Sequence, residues 1–75
     1  MPLDYLRSIE NESFPLQTTD VHAVDCIRVL LAAEMIDAQV LPEGRAGQRA
    51  LALVNAITPL GRAALARQES GKAPG

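Results

Sequence analysis

Apolar residues change their spacing along this chain, and each change marks an element. Leu3, Leu6 and Ile9 recur every third residue, with Asp4 and Arg7 between them. That spacing predicts a short amphipathic helix. Residues 11–19, NESFPLQTT, are mostly polar and hold Pro15. They read as a connection that Phe14 and Leu16 anchor to the core. From Asp20 the helical period returns. Ala23, Val24, Ile27, Leu30 and Leu31 share one face of a helical wheel, with His22, Asp25 and Arg28 opposite. Asp20 is suited to cap this helix, because its carboxylate can accept from a free backbone N–H.

The period then falls to two. DAQVLP (37–42) alternates and ends in proline, so it reads as a strand. EGRAGQR (43–49) carries two glycines and two arginines and reads as a hairpin loop. ALALVNAI (50–57) is the returning strand, with Leu51, Leu53 and Ile57 on one face. Ala50, Ala52 and Val54 then fall on the other, which with Leu41 would show apolar surface to solvent. Thr58 is a natural N-cap, and Pro59 fits the first helical position, where no N–H is needed. TPLGRAALARQ (58–68) is therefore a last helix, with Leu60, Ala64 and Leu65 available to pack.

These elements make one α+β domain over 1–69, of about three helices and a two-stranded antiparallel hairpin, with a disordered tail over 70–75. The expected core is Leu6, Ile9, Val24, Ile27, Leu30, Leu31, Ile36, Val40, Leu53, Ile57 and Leu65. With one Phe, one Tyr and no Trp among 75 residues, that core is aliphatic and leaves no room for a large ligand.

Charge and composition narrow the function. Seven basic residues against nine acidic ones leave a formal charge of −2, so no strongly basic footprint for nucleic acid is present. Cys26 is the only cysteine, which excludes an internal disulfide and fits a reducing compartment. MPLDYLRSIE has no basic stretch followed by an apolar run, so no secretory leader is expected at this start. VLLAA (29–33) is too short to span a bilayer. A cytoplasmic location follows, with no membrane partner.

Candidate chemistry is sparse. His22 and Cys26 lie four apart on a helix, but no other His or Cys exists to complete a metal site. A helix interior beside an aliphatic core does not suit a catalytic thiolate. The glycines of the 43–49 loop do not sit between a strand and a helix, as a phosphate-binding loop requires. No enzyme, metal, cofactor or small-molecule ligand is expected.

LLAAEMIDAQV, then EGRAGQR, then ITPLGRAAL resembles the C-terminal half of a bacterial winged-helix domain. Such domains carry a helix, a two-stranded wing, and a Thr-Pro-x-Gly-Arg opening to the next helix. The resemblance covers roughly residues 20 to 67. It implies a winged-helix fold and a helix-turn-helix role in DNA binding or transcription regulation. Residues 20 to 33 would be the recognition helix and 43–49 the wing. Carried over to this chain, the nucleic-acid contacts would be Thr19, His22, Arg28, Arg45, Gln48 and Arg49.

Three departures accompany the resemblance. Glu34 stands where such domains usually have glycine, so the helix is expected to run on through Met35. The segment between the first two helices leaves little room for a middle helix. Asp20 and Asp25 accompany Arg28 on the presumed recognition face, and carboxylates repel phosphate. A protein-interaction module of the same fold, or a homodimer through the hairpin, is therefore the competing reading. DNA binding requires Arg28, Arg45 and Arg49 on one surface. Protein binding requires those arginines to be scattered and the hairpin to show an uncharged apolar face.

Overall fold

A computed structural model describes residues 2–44 and 47–72. In chain order the elements are α1 (Pro2–Ile9), β1 (Leu16–Thr18), α2 (Val21–Ala32), β2 (Ile36–Leu41), β3 (Leu51–Ile57) and α3 (Pro59–Lys72). The three strands form an antiparallel sheet in the order β1-β3-β2. The fold is α+β, with three helices on a three-stranded sheet.

The third strand is the first difference from the expected architecture. Residues 16–18 do not form a connection but pair with β3, Leu16 opposite Val54 and Thr18 opposite Ala52. Three residues are too few to show a period of two, and the sheet rather than local propensity makes this strand.

The second difference is a change of phase in β3. Ala38 pairs with Val54 and Asp37 with Ala56, so Asn55 has no partner and forms a β-bulge. An extra residue inverts the alternation before it. Ala52 and Val54 face the core with no exposure, and Ile57 beyond the bulge is buried on the same side. Leu51 and Leu53 point to the other side of the sheet and are half-buried. Strict alternation back from Ile57 puts Leu53 in the core, and the bulge makes that assignment wrong.

The remaining core follows the pattern of the chain. Leu6, Ile9, Val24, Ile27, Leu30, Ile36 and Leu65 are buried with Ala52, Val54 and Ile57. Leu31 and Val40 pack against this cluster but are only partly buried. Ala64 is buried with Leu65, whereas Leu60 stays exposed. α1 and α3 are tied together by Arg7. Its Nε donates to Gln68 Oε1 at 3.2 Å and its Nη2 to the Leu65 carbonyl at 3.2 Å. Helix α3 reaches Lys72, inside the stretch read as a tail, and 73–75 lie outside the described residues.

The α2–β2 turn and the start of α3 form one hydrogen-bonded unit. α2 ends at Ala32, and Glu34 takes a left-handed conformation with φ 63°. Glu34 N–H donates to the Leu31 carbonyl at 3.0 Å and Met35 N–H to the Leu30 carbonyl at 2.9 Å. This is a Schellman ending with Glu in the place that favours glycine. The helix therefore does not run on through Met35. Thr58 Oγ1 accepts from Gly61 N–H at 3.0 Å, which caps α3, and donates to the Glu34 carbonyl at 2.7 Å. Thr58 N–H donates to the Met35 carbonyl at 3.1 Å. Gly61 is buried against Met35, and a Cβ there would come within 2.9 Å of Ile57 Cγ2. Threonine, proline and glycine in TPLG are thus accounted for by the packing of α3 on this turn.

Candidate functional site

Two surfaces at the hairpin end of the molecule carry the site. The first is a cleft of about 430 Å³ between the N-terminal half of α2 and the base of the β2–β3 hairpin. A surface cleft, rather than a cavity in the core, is where this small domain has space.

Local structure places its polar groups. Asp20 caps α2, its Oδ2 accepting from Ala23 N–H at 2.9 Å, and its own N–H donates to Thr18 Oγ1 at 3.1 Å. Asp20 is thereby committed to the helix. One helical turn on, Asp25 and Arg28 line the cleft from α2, and Glu43 and Arg49 line it from the hairpin. Val21, Val24 and Ala50 supply apolar wall. Among the described residues the only ion pair joins Arg7 Nη1 to Glu10 Oε1 at 3.5 Å. Asp25, Arg28, Glu43 and Arg49 therefore share one cleft with no opposite charge within 4.0 Å among those residues.

Three of the six residues carried over from the resemblance meet here: Thr19, Arg28 and Arg49. His22 is exposed on α2 but outside the cleft lining. Gln48 is exposed in the loop, where its carbonyl accepts from Gly44 N–H at 3.0 Å. Arg45 lies outside the described residues. The carboxylates of Asp25 and Glu43 were not part of that set. Glu43 carried no signal, because nothing in its neighbourhood reveals which side of the hairpin closes on α2.

The second surface is the outer face of the sheet. Leu41 pairs across the strands with Leu51, and Leu53 sits between Gln17 and Gln39. Leu41 is 60% exposed. The core that α1 and α2 build with Ala52 and Val54 lies on the opposite face. These rungs carry no charge; Asp37 lies at the far end of β2. The apolar face of the hairpin is thus Leu41, Leu51 and Leu53, not Ala50, Ala52 and Val54. Asn55 was the available signal, a polar residue that breaks an apolar alternation.

Elsewhere, Tyr5 on α1 has its hydroxyl pKa raised above the ordinary tyrosine value. Burial is the main cause, followed by electrostatic interaction with Cys26 and then Asp20 nearby. Among the described residues, no group of three or more His, Cys, Asp or Glu could hold a metal ion, and no helix is long and apolar enough to cross a membrane. Comparison with known protein families, with curated proteins and with solved structures finds no match.

Proposed function

We propose that this chain is a small, non-catalytic, cytoplasmic protein-interaction module of winged-helix-like architecture. The observation that carries this reading is the uncharged outer face of the hairpin. Leu41 and Leu51 pair there, and Leu53 sits between two glutamines, on the side of the sheet away from the core. A run of leucines at the surface is favourable only when something removes it from water, at roughly 25 cal/mol per Å² of apolar area. The architecture is supported by the antiparallel hairpin after α2 and by the capped α3 that follows it. The lone thiol of Cys26, half-buried, fits a reducing location.

One observation favours the second reading, DNA binding. Arg28 and Arg49, far apart in the chain, converge on the same cleft. Against it stand Asp25 and Glu43 in that cleft and the formal charge of −2. Phosphate neutralisation dominates affinity for DNA, and carboxylates at the contact oppose it.

An NMR titration of the ¹⁵N-labelled chain with a short mixed-sequence duplex separates the two. At low salt, amides in 20–28 and 47–49 should stay in place. Shifts there that shrink as salt rises would transfer the assignment to DNA.

A further inference from the structure

The leucine face borders an open edge of the sheet. β2 pairs with β3 on one side and with no strand on the other. Just before β2, the Glu34 and Met35 carbonyls are taken by Thr58. From Asp37 to Leu41, no backbone N–H or carbonyl bonds outside the sheet among the described residues. In an edge strand the groups of every second residue point away from the sheet. Unpaired backbone groups are tolerated where water reaches them, so this edge is open.

The side chains of β2 agree. Ala38 and Val40 pair with Val54 and Ala52 on the core side, yet they stay half-buried where those two have no exposure. The core is therefore unfinished beside β2. On the outer side Leu41 and Gln39 are exposed, and Asp37 is the one charge of the strand. Asp37 makes no ion pair among the described residues. From Ala38 to Leu41 there is no charge and no proline to block pairing.

Two arguments select the occupant. Three strands about 4.8 Å apart and five residues of about 3.3 Å give an outer face on the order of 200 Å². A stable interface between folded chains needs roughly 800 Å² per partner. A second copy would also bring no basic residue on its β2 to meet Asp37. A single added strand fits both the area and the charge.

We propose that β2 takes an extended polypeptide segment as a fourth, antiparallel strand. The first residue of the segment is apolar and lies beside Leu41. The fifth is basic and lies beside Asp37. The second and fourth are apolar and cover Val40 and Ala38. Main-chain bonds hold the segment, and the alternate side chains select it. The proposal rests on the reading of the chain as a protein-interaction module and names the chemistry of the partner.

The test titrates the full ¹⁵N-labelled chain with acetyl-Leu-Val-Thr-Val-Lys-amide. Amides in 37–41 should shift, and exchange should slow at alternate residues of β2. Replacing the lysine of the peptide with glutamine should weaken binding about threefold, as loss of a cross-strand charge pair does. Asp37→Asn, at an exposed position, should abolish that difference. Two further peptides carry N-methyl groups, one on the second and fourth residues, the other on the third and fifth. One should fail and the other bind, because only alternate N–H groups face the edge. Identical behaviour of the two methylated peptides would overturn the proposal, and so would a lysine preference that survives Asp37→Asn. A silent parent peptide with a silent duplex titration removes this edge alone. Duplex shifts remove the reading beneath it.

Discussion

Replacing Glu34 with glycine should make the protein more stable. Glu34 sits at φ 63°, where Cβ crowds the following carbonyl. The left-handed conformation costs an L-residue roughly 1–2 kcal/mol. Glycine removes that cost but loses about 0.5–1 kcal/mol more backbone entropy on folding. The difference is a gain of about 0.5–1 kcal/mol. Little else changes, because the bonds at this residue are made by its backbone. Its N–H donates to Leu31 and its carbonyl accepts from Thr58, and glycine keeps both. The side chain is exposed and makes no ion pair among the described residues.

In a domain of this size 1 kcal/mol corresponds to about 4–8 °C, so Tm should rise by about 2–8 °C. Thermal melts followed by circular dichroism read the shift. Urea unfolding should show a higher midpoint with the slope unchanged. Ala33→Gly is the control. Ala33 has φ −85°, so glycine there brings the entropy loss with no relief and should lower stability by about 0.5–1 kcal/mol. If Glu34→Gly is neutral or behaves like Ala33→Gly, the turn does not hold the left-handed geometry described here.

The other expectations test the sheet, the junction and the titration. Val54→Ala should cost about 2 kcal/mol in urea unfolding and Leu53→Ala less than about 1; the reverse order would remove the bulge at Asn55. Thr58→Val should cost about 1–2 kcal/mol through loss of both the cap and the bond to Glu34, with Thr58→Ser close to wild type. Gly61→Ala should cost more than that, because its Cβ meets the Met35 backbone and Ile57. Tyr5 has a raised pKa in the folded state. The unfolded chain therefore releases the tyrosine proton first, and stability falls as pH rises past about 10. In Tyr5→Phe, urea midpoints should fall less over that range.

What could be read in advance follows from how local each feature is. Helix α2 was legible because Asp20 and the Ala23-to-Leu31 stripe lie within one element. The start of α3 was legible in Thr58-Pro59 for the same reason. Strand β1 was not, since three residues carry no period and only β3 makes them a strand. Leu53 and Val54 exchanged faces because a bulge adds one residue and inverts everything before it. Glu34 shows the opposite limit. Its propensity argued for a longer helix, and the bonds from Thr58 to the turn prevailed. Arg28 and Arg49 were candidates from the start. That Asp25 and Glu43 join them is a tertiary fact, set by how the hairpin folds against α2.

The central claim is that the leucine face of the hairpin meets another polypeptide. A photo-crosslinking phenylalanine analogue placed at position 53, with a control at the exposed position 62 on α3, tests it in the living cell. Position 53 should give discrete protein adducts that position 62 does not. Adducts at neither site, or the same diffuse set at both, would contradict the claim.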